Sequence, residues 1–466
     1  MQRLEEKQRQ YIKANKDSLT KEEKTLYKAK VKKKRKLWML SALLLNIGLL
    51  CFFKYFHFVL EQVNAVLHLT GGKEINDTFD FIVPLGISFY TFQSVGYLLN
   101  VYWEKTAAEK NYFKMLLFVS FFPQITQGPI SEYDQLSAEL FAHHSFSYKN
   151  YSWGLQRMLW GFFKKMVIAN TLAPWVSDVF SNYASYAGIS VLIGAFLYSV
   201  QIYADFSGYM DIMCGFCEIL GINLTENFER PYFSKSVAEY WRRWHMSLGA
   251  WFKNYIYFPI GMSTWSRKLA KTTQARMGKH FANTFPATIA LLIVWTATGM
   301  WHGASWAYIL WGIVNGLFII IGMWMEPLYE SWRTKFHLSS DIWAWRAFQT
   351  IRTFVLVTFI KVLPEVGTLS EGLGLWKQIF ISHTMPGTFS EWFPYVTVQS
   401  VFVMIVFSIV LMFIVSLIQR RQPVRQWLHR IPVVLRLAMY VAMFLLIIYY
   451  GVPASGDVGG FMYAQF

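Results

Sequence analysis

The sequence predicts an all-α, polytopic membrane protein, and three observations carry that expectation. Charged residues make up only 15% of the 466-residue chain, whereas a soluble domain carries about 25%. Hydrophobic residues make up 54%, and mean hydropathy is +0.28. The apolar residues gather in runs near ~20 residues, the length that crosses a bilayer as a helix. These runs are 37–60, 79–102, 112–129, 151–170, 186–204, 207–222, 283–301, 304–324, 347–363, 396–419 and 432–450. About eleven membrane segments are therefore expected. Those that contain charges or prolines read as crossings or as re-entrant pieces.

Residues 1–36 come first, as a charged cytoplasmic tail, helical or disordered. They hold fourteen Lys or Arg and five Asp or Glu and end in KAKVKKKRK. The formal charge of the whole chain is +16. Nucleic-acid binding would fit that figure, but the positive-inside rule accounts for it better, because the basic residues lie between apolar runs. The basic stretches 228–282, 331–346 and 420–430 fall on the same, cytoplasmic side, and an odd number of crossings leaves the C-terminus outside. The N-terminus is charged for too long to be a signal peptide.

The longest polar interruption is 223–282, read as a cytoplasmic amphipathic or re-entrant region within a transmembrane domain of 37–466. Within it, 236–258 predicts one amphipathic helix. Trp241, Trp244, Leu248, Trp251, Phe252 and Tyr255 recur at spacings of three and four, with Arg242, Arg243 and Lys253 elsewhere on the wheel. Such a helix lies in the interface plane or lines a vestibule. Cys214 and Cys217 form a CGFC spacing in an apolar run and read as small buried side chains rather than a redox pair; with Cys51 they indicate no disulfide framework.

There is no Walker loop, no G-x-S-x-G and no H-E-x-x-H. What remains is polar groups at membrane depth, which are costly there and mark function by default. His302, in GMWHGASW, is a ring that takes or gives a proton near neutral pH. Gly299 and Gly303 beside it would leave backbone open to a thin ligand, and Ser305 is placed to hold a ring nitrogen. A helix-packing histidine is the competing reading. His245, in WRRWHMSLG, is a second proton-handling group or an interfacial histidine. Asp205 and Asp211 flank Ser207 and Gly208, which suggest a break in the helix. They read as a proton relay, a hydroxyl site, partners for Arg242 or Arg243, or structural ion pairs and caps. Lys54, Lys164 and Lys165 read as snorkelling to an interface. On these residues alone, an enzyme acting across a membrane, a transporter or flippase with His302 and Asp205 as relay, and a scaffold of a polysaccharide export complex all remain open.

Four stretches resemble a known family. FFPQITQGPISEYDQ (121–135), YADFSGYMDI through NYIYFPIG (203–261), GMWHGASWAYILWG (299–312) and FMYAQF (461–466) are similar, in order, to elements of the membrane-bound O-acyltransferases (MBOAT), in the alginate O-acetylation membrane protein branch. The resemblance spans about 37 to 466. Members usually begin with further apolar helices where this chain has its charged tail, which implies a start read too late or a shortened form. PIGMSTWSRK also lacks the Gly-Gly-Asn-Arg run common after that step.

The resemblance implies a ring of tilted helices around a central funnel or tunnel. It implies His302 as the catalytic base and His245 as the other recurrent histidine. The implied activity passes an acetyl group from a cytoplasmic thioester, acetyl-CoA or another acyl thioester, to a hydroxyl of an extracytoplasmic polysaccharide or partner protein. No metal is implied. Asp205, Ser207, Asp211, Trp241, Arg242, Arg243, Trp244, Lys253 and Ser305 are the candidates for lining the tunnel or holding the donor. An esterase-like extracytoplasmic acetyltransferase is the implied partner, and the bacterial cytoplasmic membrane the implied location. D-alanyl transfer to teichoic acid is the nearest alternative, since similar WRRWH strings occur in that branch.

Overall fold

The computed structural model describes residues 1–77, 79, 83–337, 342–382 and 399–453. Its regular elements are helices, and the only pairing of extended backbone among the described residues is an isolated bridge between Phe228 and Trp244. The chain divides into two compact units: residues 1–126 with 130–143, and residues 127–129 with 144–466. The FMYAQF ending lies outside the described residues.

The first unit holds α1 (Gln2–Ala14), α2 (Lys21–Leu69), α3 (Ile87–Tyr102), α4 (Tyr112–Val119), α5 (Phe122–Ile125) and α6 (Tyr133–Leu140). Thr20 and Glu23 form a reciprocal capping box that starts α2. From there α2 runs 49 residues without a break at residue 36, so the basic stretch is the first part of the first apolar helix. Arg35 is buried at the join. It donates to Glu104 at 2.6 Å and to the Tyr102 carbonyl at 2.9 Å, and Glu5 of α1 stands 3.5 Å away. The apolar run 112–129 is two helices, because the chain is extended at Phe121. Gln124 of α5 accepts from Gln93 of α3 at 2.8 Å and donates to Ser131 at 2.6 Å, which satisfies three buried polar groups at once.

The second unit begins with α7 (Tyr148–Phe162), which passes through a π-helical segment (Phe163–Ala169) into α8 (Asn170–Ser181). These pack on α9 (Gly188–Ile219), a 32-residue helix. The packing is close because glycines face each other. A Cβ on Gly161 would lie 2.7 Å from the Gly208 carbonyl oxygen, and one on Gly215 would lie 2.6 Å from that of Gly154. Small residues at such spacing let membrane helices meet backbone to backbone. Gly208 therefore does not break the helix: the runs 186–204 and 207–222 are one helix, not two segments.

The expected single helix over 236–258 is instead α10 (Val237–Arg243), α11 (Met246–Phe252), a π-helical turn (Lys253–Tyr257) and α12 (Phe258–Gly261). The interruption is at Trp244 and His245. Trp244 is extended, and His245 is left-handed with φ 47°. Periodicity persists across such a kink, so the sequence does not reveal it.

Then come α13 (Thr264–Met277), α14 (Lys279–His302), α15 (Trp306–Trp324), α16 (Glu326–Lys335), α17 (Trp343–Val362), α18 (Leu369–Ile381), α19 (Gln399–Gln419), α20 (Val424–His429) and α21 (Val433–Tyr450). α14 and α15 form a tight hairpin: a Cβ on Gly312 would lie 2.9 Å from the Gly299 Cα, and one on Gly316 2.9 Å from the Trp295 Cβ. Phe163, Val167 and Leu172 pack in one core with Met404, Met412 and Ile447 of α19 and α21. Among the described residues six helices, α2, α9, α14, α15, α19 and α21, are long and apolar enough to cross a membrane. The chain is a multi-pass membrane protein.

Candidate active site

His302 is the last residue of α14, at the tip of the hairpin, and is 5% exposed. The hairpin explains its neighbours. Gly303 ends α14, and Ser305 caps α15, its Oγ accepting from the Tyr308 N–H at 3.4 Å. Ser305 thus serves the backbone of α15. The space beside Gly299 is filled by the Tyr308 carbonyl and that beside Gly303 by the Tyr308 ring. The openings expected there for a thin ligand are closed by the returning helix. The imidazole is packed by Trp301 at 4.7 Å and Trp311 at 4.8 Å between ring centres, both edge to face.

His245 is 2% exposed. Its left-handed backbone turns the chain between α10 and α11, and Asn227 fixes that turn. The Asn227 carbonyl accepts from Met246 N–H at 3.0 Å, and its side-chain oxygen accepts from Ser247 N–H at 2.9 Å. The imidazole meets Phe206 edge-on at 4.8 Å and lies 6.1 Å from Trp301. The two histidines therefore share the Trp301 indole as a neighbour. Burial pushes the His245 imidazolium down to about 3, so this ring is neutral at neutral pH.

A narrow cleft with about 30 Å³ of free space is lined by Tyr198, Trp241, Trp244, His302, Lys361 and Glu365, together with Tyr308 and Trp311 of the hairpin. That is far below the ~300–1,000 Å³ of ligand sites, so the cleft is nearly closed in this conformation. Trp241 is held by its indole N–H, which donates to Asn315 Oδ1 at 3.0 Å. Lys361 and Glu365 are additions that the reading of the sequence passed over. Their signal was present in FIKVLPEVG (359–367), where two charges one helical turn apart close an apolar run. Burial raises the Glu365 carboxyl to about 7, against the lowering effects of a Tyr198 hydrogen bond and the Lys361 charge.

The other candidates go elsewhere. Asp205 is paired with Lys165. Asp211 accepts from Arg157 at 2.8 Å and from Lys164 at 2.7 Å, and Lys164 also donates to Ser207 at 2.8 Å. Arg157 continues to Glu226 through two bonds of 2.7 and 2.6 Å. The aspartates thus find their partners on α7 and the following π segment, not at Arg242 or Arg243. Lys164 and Lys165 are 3% and 5% exposed, so they are buried ion-pair members rather than snorkelling chains. The wider π turn is what lets two consecutive lysines both face α9. Arg243 pairs with Glu239 at 2.6 Å, while Arg242 and Lys253 are exposed, with Lys253 5.3 Å from the Phe258 ring centre. None of these three lines the cleft. Cys214 and Cys217 are buried and unbridged. Among the described residues no group of three or more His, Cys, Asp or Glu is placed to hold a metal ion.

Residues 108–362 match the membrane-bound O-acyltransferase (MBOAT) family. The chain is 32% identical over 284 residues to the probable alginate O-acetylase AlgI of Azotobacter vinelandii, covering 61% of this chain and 53% of that protein. It is 29% identical over 370 residues to the peptidoglycan O-acetyltransferase of Helicobacter pylori, covering 74% and 64%. It is 27% identical over 263 residues to the teichoic acid D-alanyltransferase of Bacillus subtilis, covering 56% and 63%. The chain spans about half the length of the alginate O-acetylases it matches.

Proposed function

The chain belongs to the membrane-bound O-acyltransferase family, in its alginate O-acetylation branch, and from that membership we propose that it transfers an acetyl group from a cytoplasmic thioester to a hydroxyl beyond the membrane. The observation that carries the proposal is the cleft with His302 in its wall. It joins a buried imidazole, an indole-rich lining and two ionisable side chains.

His302 acts as general base. It takes the proton of the acceptor hydroxyl as that oxygen bonds to the acyl carbon and the carbonyl electron pair moves to the carbonyl oxygen. When the tetrahedral intermediate collapses, the carbon–sulfur bond breaks, its electron pair stays on sulfur, and the proton held by His302 passes to the thiolate. The products are an ester and a thiol, and His302 is restored. Base catalysis of this kind is worth ~10²–10⁴-fold. The aromatic walls hold the reactants together and keep water from intercepting the thioester.

In this reading tilted helices ring a central funnel, supplied by the eleven apolar runs with two merged in α9. The N-terminus and the 223–282 region face the cytoplasm of a bacterial cell. The exposed Arg242 and Lys253 draw the phosphates of acetyl-CoA toward the funnel, while Arg243 is tied to Glu239. An esterase-like partner outside the membrane receives the acetyl group or passes it to an envelope polysaccharide.

The test is mild-alkali release from the cell envelope, measuring acetate and D-alanine together, in cells with wild type or His302→Ala at equal membrane levels. Loss of acetate in the variant is expected. Loss of D-alanine instead would assign the chain to the reaction named for its Bacillus subtilis relative. If neither ester changes, a transporter or scaffold role replaces this one.

A further inference from the structure

Three lysines of the second unit are buried: Lys164, Lys165 and Lys361, at 3%, 5% and 6% exposure. Two of them rest directly on carboxylates, Lys164 on Asp211 and Lys165 on Asp205. Lys361 does not. Its ammonium lies 3.9 Å from the centre of the Trp244 ring, 4.9 Å from that of Tyr232 and 5.2 Å from that of Tyr240. It donates to the Tyr232 hydroxyl at 2.9 Å. That bond uses one of three ammonium hydrogens.

Ring faces attract a cation only weakly, while burying an ammonium is costly. Such a group is kept in place without full compensation, and it stands in the wall of the cleft that holds His302. The wall is continuous between them. His302 packs on Trp311, Trp311 on Trp241, Trp241 on Tyr240, and Tyr240 on Trp244, with ring centres 4.8 to 5.6 Å apart.

We propose that Lys361 is a catalytic residue that binds the carbonyl oxygen of the acyl group and stabilises the oxyanion formed when the acceptor attacks. This rests on the acyl-transfer reading above and supplies what that reading lacks, a positive group where negative charge develops. In the thioester the carbonyl oxygen carries little charge, so the ammonium does little for binding. In the tetrahedral intermediate that oxygen is an anion in a dry site, and the ammonium completes its pairing. Burial disfavours the charged form of Lys361 and the Glu365 carboxylate in the same cleft favours it, and the step itself moves no proton to or from Lys361. The aromatic box holds it still, so no reorganisation is needed as the charge appears.

The experiment uses membrane vesicles from producing cells, labelled acetyl-CoA as donor, and formation of alkali-labile acetyl ester in the envelope material. Wild type, His302→Ala, Lys361→Met and Lys361→Arg are compared at equal enzyme levels. Lys361→Met is expected to lower kcat by about 10²–10³-fold with donor KM nearly unchanged, the pattern of an interaction made in the transition state. Lys361→Arg keeps the charge but displaces it, and should lower kcat about tenfold or more, again without a matching rise in KM. It decides the question if the Met variant does not accumulate, since a lysine needed only for folding predicts wild-type kcat in whatever Arg variant reaches the membrane. If His302→Ala is inactive while the accumulating Lys361 variants keep wild-type kcat, the assignment of Lys361 is wrong and the acyl-transfer reading stands. If wild type and His302→Ala form ester alike, it is the acyl-transfer reading that fails.

Discussion

Gly161 of α7 and Gly208 of α9 meet with no side chain between them: a Cβ on Gly161 would stand 2.7 Å from the Gly208 carbonyl oxygen. This contact sets the separation of the two helices. That separation in turn lets Arg157, Lys164 and Lys165 reach Asp211 and Asp205. Gly161→Val should force the helices apart, at a cost of ~1–3 kcal/mol for overpacking and more if an ion pair opens. The expected result is a lower unfolding temperature in detergent and less protein in the membrane. An unchanged unfolding temperature would mean the helices pack elsewhere.

Asp205 and Lys165 are both buried and paired. Breaking the pair on one side strands a charge, at ~3–5 kcal/mol, whereas replacing both with apolar residues is often near neutral. Asp205→Leu alone should therefore fail to accumulate, and Asp205→Leu with Lys165→Met should recover. A double variant as poor as the single one would point instead to a proton-relay or substrate role for Asp205.

His245 has two separable jobs. Its backbone is left-handed, a conformation Asn tolerates better than most residues, and its ring is packed between Phe206 and Trp301. His245→Asn should reach the membrane at wild-type levels and lose ester formation. Because burial holds the ring neutral, down to about 3, whatever activity remains should show the same pH profile as wild type between pH 5 and 9. A profile that changes shape would mean that His245 titrates in that range.

Glu365 carries the pH prediction. Its folded carboxyl is raised to about 7 from an ordinary 4.5, with burial the main cause. Lys361 at the end of α17, Tyr198 of α9 and His302 of α14 line the same cleft. A raised carboxyl means that the folded state holds the proton more tightly than the unfolded chain does. Stability from this group is complete below about 4.5 and is lost as pH rises through about 7. Glu365→Gln keeps the neutral form at all pH values. Between pH 5 and 8 its unfolding temperature should fall less steeply than that of wild type. Parallel curves would show that Glu365 is ionised throughout.

Much of this was legible in order along the chain. Scarce charge, apolar runs near bilayer length and basic stretches between them give helices and a membrane. Long ordered strings such as GMWHGASWAYILWG give the family. These properties are local, because helix periodicity and bilayer length are sums over neighbouring residues. Pairings were not legible. Asp205 and Asp211 lie somewhat nearer in sequence to Arg242 and Arg243 than to Arg157, Lys164 and Lys165, yet it is the latter three that meet their charges. That choice depends on how closely glycines let α7 approach α9. Gly208 reads as a break but is a point of contact, because a missing Cβ has the same letter in both cases. The kink at His245 is hidden by an apolar repeat that continues across it. Lys361 shows the difference best. The sequence holds it as one of two charges that close an apolar run, and only the convergence of Tyr232, Tyr240, Trp244 and His302 from three other helical regions gives it a cleft to face. Composition and pattern determined what the chain is made to live in. Backbone approach, decided only in three dimensions, determined which charges meet which partners.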